Sequence, residues 1–215
     1  MIMPSIKSSG TAKRQCFPDD EAKFDWLPQL LDAYHIIDQG VTDAIHREVV
    51  QGRTIACGKG CAACCRCHKD IPVYPLELVG ITWYTVEKLA NATRGKLKQQ
   101  LRDFQQGDAC PFLIGNDCSI HPMRPMACRQ FNVFDKVCDE GEDAFHTRRK
   151  DVLNPIKKYS DQAFERTLPF YGVTNAAQRK QVIKNAEQHR LAKELQQCSW
   201  SSLADKMESW DKNHG

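Results

Sequence analysis

Apolar residues recur at three- and four-residue steps near both ends of the chain, and this spacing is lost in the middle. The first stripe consists of Leu30, Tyr34, Ile37, Val41, Ile45 and Val49, and Gly52 follows it as a stop signal. Such spacing places apolar side chains on one face of an α-helix. We therefore expect an amphipathic helix over residues 24–50.

A second stripe follows Pro75, a residue suited to the first turn of a helix. It consists of Leu76, Val79, Trp83, Val86 and Leu89, and we expect a helix to resume after Gly95, over residues 96–104. Helical spacing returns over residues 175–210, where Asn175 and Gln178 are placed as an N-cap and capping box. In this tail we expect Val182, Ala186 and Leu195 to face inward. Strand signals are weak throughout, so the sequence predicts a mainly α fold.

The middle of the chain has loop chemistry. Residues 105–130 contain the turn formers Gly107, Pro111, Gly115, Asn116, Pro122 and Pro125. A loop of this composition needs something other than a hydrogen-bond ladder to order it, and a bound metal would do so. We expect a single helical domain over residues 1–215 with an irregular cysteine-rich metal-binding centre. Its expected parts are a flexible N-terminal segment (1–23), a helical flank (24–56), the cysteine-cluster core (57–138) and a helical C-terminal region (139–215).

Cysteines are the strongest chemical signal. The chain has eleven, of which nine lie between Cys57 and Cys138, while Cys16 and Cys198 are outliers. The N-terminus lacks the apolar core of a secretory signal, and no apolar run is long enough to span a bilayer. We therefore expect a cytoplasmic protein with reduced thiols, which favours a metal site over a disulfide framework.

Charge gives little information about partners. The chain has 30 Lys and Arg against 27 Asp and Glu, a formal net charge of +3. This net positive charge is too small for a protein dedicated to binding nucleic acid. We expect no membrane partner and infer a metal or a redox partner protein, and the sequence leaves the oligomeric state open.

At the cysteines the sequence resembles the YkgJ-type cysteine-cluster family, which is described as zinc- or iron-chelating. The family pattern is C-x3-C-x2-C-C, then C-P-F-L, C-x-I, R-P and C-R. The matching residues here are Cys57, Cys61, Cys64 and Cys65; Cys110 to Leu113; Cys118 with Ile120; Arg124 with Pro125; and Cys128 with Arg129. Family members commonly have eight clustered cysteines, and the resemblance implies Cys138 as the eighth ligand. Cys67 is additional.

Ligand chemistry narrows the choice of metal. Eight thiolates favour soft or borderline metals, which excludes magnesium and calcium and leaves zinc and iron–sulfur. The C-x3-C-x2-C triad and the Cys110–Pro111 pair favour a [4Fe–4S] cluster, with two four-thiolate zinc sites as the alternative. We expect Arg124 and Arg129 beside the cofactor, where a guanidinium offsets thiolate charge. We expect His121 either to donate a hydrogen bond to a ligand or to be a ligand itself.

Three functions are compatible with this pattern. The first is an iron–sulfur protein for electron transfer or metal handling. The second is a structural zinc-binding protein-interaction adaptor. The third rests on the resemblance, because the family includes flagellin lysine N-methylases, which implies methyl transfer from S-adenosylmethionine to a protein lysine. No nucleophile, base and orienting acid can be assembled from the sequence, so catalytic residues stay unknown and enzyme activity stays open.

Overall fold

The computed structural model describes residues 13–89 and 91–214, and this part of the chain is mainly helical, as the sequence predicts. The α-helices are α1 (Pro18–Glu21), α2 (Trp26–Val50), α3 (Ala63–Cys67), α4 (Pro75–Trp83), α5 (Asn91–Asp103), α6 (Met126–Gln130), α7 (Ala144–Thr147), α8 (Lys157–Thr167), α9 (Ala176–Lys184) and α10 (Trp200–His214). A π-helical turn, Tyr84–Lys88, continues α4. Within the described residues, no helix combines the length and the apolar character that crossing a membrane requires.

Among the described residues, strand pairing consists of two short antiparallel sheets and two isolated bridges, Ile55 with Phe134 and Val133 with Val152. β1 (Pro72–Val73) pairs with β4 (Lys193–Glu194), and β2 (Leu113–Ile114) pairs with β3 (Asp117–Cys118). Five 3₁₀-helical segments also occur, at His121–Met123, Arg149–Asp151, Leu168–Tyr171, Glu187–Leu191 and Leu195–Gln197.

Helix α2 forms the centre of the core. Its inward residues Leu27, Leu30, Leu31, Tyr34 and Ile37 are at most 3% exposed. Two glycines allow its neighbours to pack closely. A Cβ at Gly40 would lie 2.6 Å from the Cβ of Tyr159 on α8, and a Cβ at Gly80 on α4 would overlap the side chain of Leu30. Side chains at these two positions would push the helices apart.

Helix boundaries differ from the expected ones at two places. Helix α5 begins at Asn91, so Gly95 lies within it. In the tail, Asn175 caps α9 as expected, because its side chain accepts hydrogen bonds from the N–H groups of Ala177 and Gln178. The tail is nevertheless not one helix. Ala186 is exposed and has a left-handed backbone (φ 55°), and Leu195 is buried from a 3₁₀ turn, because the chain between α9 and α10 pairs with β1.

The N-terminal segment also differs from expectation where it is described. Residues 1–12 of the segment expected to be flexible lie outside the described residues. Residues 13–23 are tied to the core instead of forming a free arm. Arg14 lies 2.8 Å from Glu21 and 2.7 Å from Asp32 on α2, and these ion pairs hold α1 against α2.

Candidate metal centre

Both cysteine motifs line one cavity of ≈ 530 Å³. Seven cysteines contribute to its wall: Cys57, Cys61, Cys64, Cys65, Cys110, Cys118 and Cys128. The expected site residues His121 and Arg124 line it as well, together with His68. Cysteines that are up to 71 positions apart in the sequence therefore surround a single space.

The first motif curls around the cavity through a glycine turn and a short helix. Gly60 has a positive φ of 80°, and the N–H of Cys61 donates to the carbonyl of Gly58 at 3.0 Å. Because of this turn, α3 presents Cys64 and Cys65 to the same cavity. Adjacent cysteines do not easily point the same way, but the helical turn lets both reach the wall.

Backbone and side-chain hydrogen bonds join the second motif to the first. The N–H of Cys110 donates to the carbonyl of Cys65 at 2.6 Å. Lys69 Nζ donates to the carbonyls of Gly107 and Asp108 at 2.8 and 2.6 Å. These bonds supply an anchor for the loop that precedes Cys110.

A small hairpin positions Cys118. Pairing of β2 with β3 places Cys118 opposite Leu113, and the N–H and hydroxyl of Ser119 both donate to the carbonyl of Phe112 at 2.9 Å. Phe112 is fully buried and packs edge-on against Trp200 of α10, with ring centroids 4.7 Å apart. The hairpin is therefore fixed to the helical core.

Cys128 is positioned by buried polar contacts around α6. Glu77 accepts a hydrogen bond from the N–H of Met126 at 2.7 Å. Arg129 donates to the carbonyls of Arg124 and Pro122, pairs with Asp38 at 2.8 Å, and lies over the ring of Tyr34 at 4.0 Å. Arg129 does not line the cavity, so its visible role is to hold the loop, whereas Arg124 does line it.

Mutual electrostatic effects divide the eight expected ligands into two groups. The inner group is Cys64, Cys65, Cys110, Cys118 and Cys128, and the outer group is Cys57, Cys61 and Cys138. Charge on Cys57 and Cys61 would raise the pKa of Cys138, and charge on Cys64, Cys65 and Cys118 would raise that of Cys128. Cys64 also acts on Cys57, so it lies between the two groups.

Burial and neighbouring thiols raise the pKa of six of the expected ligands, Cys57, Cys64, Cys65, Cys118, Cys128 and Cys138. A hydrogen bond with the Cys110 side chain is the largest of the effects that raise the pKa of Cys65 to about 12. Burial is the main cause that raises the pKa of Cys128 well above its ordinary value. A metal that binds these sulfurs must therefore displace protons, and its apparent affinity increases with pH.

The surroundings of the sulfurs fit a thiophilic metal. The N–H of Val133 donates to Cys57 Sγ at 3.2 Å, and the backbone of Ile120 donates to Cys118. Among the described residues, Arg124 Nε is buried without a hydrogen-bond partner. Burial, followed by the charges of Arg124 and Arg129, lowers the pKa of His121, which favours a neutral imidazole that is able to bind metal. These donors suit negatively charged sulfur better than neutral thiols.

The other cysteines lie away from the cavity wall. Cys138 packs beside Val133, Ala144 and Val152, and Arg148 Nη2 is 3.7 Å from its sulfur. Cys67 is on α3 but does not line the cavity. Cys16 is exposed, and Cys198 donates to the carbonyl of Glu194 at 3.5 Å. All eleven cysteines fall within the described part of the chain, and none of them is in a disulfide.

Two wall residues come from a part of the chain in which the sequence showed no site signal. Leu195 and Gln196 line the cavity from the segment before α10. Gln196 accepts from the N–H of Gly107 and donates to the carbonyl of Asp108, both at 2.9 Å. For Leu195 the sequence predicted only that the side chain faces inward. For Gln196 it predicted nothing, because a lone glutamine belongs to no metal-ligand motif.

Comparison with known proteins supports the assignment of this region. Residues 56–152 match the family model described as "CxxCxxCC: Putative zinc- or iron-chelating domain", which confirms the resemblance seen in the cysteine motifs. No curated protein and no solved structure matches the chain. Leu195 and Gln196 lie outside the matched residues.

Proposed function

We propose that the protein holds an iron–sulfur cluster in the cysteine-lined cavity and acts in electron transfer or metal handling. The spacing of the sulfurs is the observation that supports this proposal. No three cysteine sulfurs among the described residues lie within 4.8 Å of one another. Four thiolates at about 2.3 Å from one zinc ion would be about 3.8 Å apart. Each ligand of a four-iron cluster binds a different iron, so its sulfurs stand farther apart.

The inner group supplies enough thiolates for such a cluster. Four of its five sulfurs would hold a [4Fe–4S] cluster, which supplies reversible one-electron chemistry when bound. The unpartnered Nε–H of Arg124 would donate to sulfur at the wall. Such a donor offsets negative charge and raises the reduction potential.

A structural zinc adaptor is the second candidate, and the division into two groups favours it. If Cys64 is counted with the outer group, each group has four thiolates: Cys57, Cys61, Cys64 and Cys138 in one, and Cys65, Cys110, Cys118 and Cys128 in the other. Four thiolates are the ligand number of a closed structural zinc site.

Metal and sulfide analysis of anaerobically purified protein distinguishes the two candidates. We expect about four iron and four acid-labile sulfide atoms per chain, with broad visible absorption that disappears in Cys128→Ser. Cys198→Ser is the matched control and should keep the colour. Two zinc ions per chain without sulfide would replace the iron–sulfur proposal by the adaptor.

A further inference from the structure

Three metal-ligating side chains meet outside the cysteine-lined cavity. Asp70 follows α3, Asp143 caps α7, and His146 lies on α7. One ligand atom from each side chain lies within 4.8 Å of the other two. The three residues come from two segments that are more than seventy positions apart, so only the folded chain brings them together.

Local hydrogen bonds fix the central carboxylate of this group. Asp143 Oδ1 accepts from the N–H of Phe145 at 2.9 Å and lies 2.9 Å from His68 Nε2. His68 is buried and packs edge-on against Phe131, with centroids 4.2 Å apart. The second oxygen, Oδ2, is left to face His146, three residues away on the same helical turn.

The separations within the group suit a shared ion better than direct hydrogen bonds. His146 Nε2 lies 3.6 Å from Asp70 Oδ2 and 3.9 Å from Asp143 Oδ2. Both distances are too long for hydrogen bonds. Ligand atoms at about 2.1 Å from one tetrahedral ion would be about 3.4 Å apart, so a small inward movement would complete the site.

We propose that Asp70, Asp143 and His146 bind one divalent transition-metal ion of the zinc class. Two carboxylates balance the charge of such an ion, and a nitrogen and two oxygens are ligands that it accepts. The side chains of Asp70 and His146 are 62% and 61% exposed, so the remaining coordination positions are open to water and the ion is exchangeable. This inference does not depend on what the cysteines hold.

Calorimetric titration with Zn²⁺ tests the site in full-length protein whose cysteine centre is already loaded. Wild type should bind one additional ion. Asp70→Asn and His146→Ala should each weaken that binding at least tenfold without changing the melting temperature, because both side chains are exposed. His46→Ala removes an exposed histidine of α2 and should bind the ion as wild type does.

Co²⁺ as the probe identifies the ligands of the additional ion. The bound Co²⁺ should show weak visible bands without thiolate charge-transfer absorption. The proposal is overturned if wild type binds no additional ion, if both variants retain it, or if the Co²⁺ spectrum shows thiolate ligation.

Discussion

Glu77 Oε1 accepts a hydrogen bond from the N–H of Met126 at 2.7 Å, and its other oxygen accepts from the N–H of Tyr74 at 3.0 Å. One buried carboxyl group thus joins the start of α4 to the start of α6, the helix that carries Cys128. Burial raises the pKa of Glu77 to about 7, against the opposing effect of these two hydrogen bonds and of the Arg129 charge. The metal-binding loop is therefore coupled to a group that titrates near neutral pH.

The Glu77→Gln variant should change how stability depends on pH. Because the folded pKa is raised from 4.5 to about 7, the native state holds the proton more tightly than the unfolded state does. The stability from this group is fully present below pH 4.5 and is lost as pH increases through 7. Across that window the unfolding free energy of wild type should fall by roughly 3 kcal/mol relative to that of Glu77→Gln.

Urea unfolding at several pH values measures this difference. The exposed Glu140→Gln should follow wild type, and parallel wild-type and Glu77→Gln profiles would contradict the prediction.

Replacing Arg129 by lysine should loosen the loop that carries Cys128. Lysine keeps the charge but cannot reproduce the planar fork that reaches Arg124, Pro122 and Asp38 while stacking on Tyr34. We expect a loss of about 3 kcal/mol in unfolding free energy and faster metal release to a chelator. Arg166→Lys, at an exposed ion pair with Asp32, is the control and should cost less than 1 kcal/mol. Equal losses in the two variants would argue against this role of Arg129.

Truncating Gln196 to alanine should destabilise the cavity from outside the family-matched segment. The backbone N–H of Gly107 would lose its partner, and the carbonyl of Asp108 would keep only the bond from Lys69, at a cost of about 2 kcal/mol. Chelator-induced metal loss should accelerate because these groups precede Cys110. The exposed Gln197→Ala is the neighbouring control. If both variants released metal at the wild-type rate, the C-terminal segment would have no part in holding the centre.

The two cysteine motifs should lose metal together. Cys118 lines the same cavity as Cys57, Cys61 and Cys64, and Cys110 is hydrogen-bonded to the backbone of Cys65. Cys118→Ala should therefore lower total metal by more than the share of one isolated site and alter the spectrum of the whole centre. Cys16→Ser combined with Cys198→Ser should keep full metal content. Loss of one independent ion in Cys118→Ala, with the rest of the spectrum unchanged, would instead indicate two separate sites.

Local sequence patterns were sufficient to identify much of this protein. The apolar stripe of α2, the cap at Asn175 and the cysteine spacing are properties of nearby residues, and each predicts a local structure or a ligand type by itself. The mainly helical fold and the resemblance of residues 56–152 to a zinc- or iron-chelating domain followed from them. The sequence did not predict the division of the cysteines into an inner and an outer group, because this division depends on how α3, the β2–β3 hairpin and α6 pack around one cavity.

Tertiary structure decided what lies beside the cysteines. The sequence predicted the same position beside the cofactor for Arg124 and Arg129. Only Arg124 lines the cavity, because Arg129 pairs with Asp38 and lies over the ring of Tyr34, both on α2. Gln196 reaches Gly107 across 89 positions, and His146 lies 3.6 Å from Asp70, which is on a separate segment of the chain. Contacts at such separations arise when helix packing and pairing of β1 with β4 close long stretches of chain, and no local pattern encodes that closure.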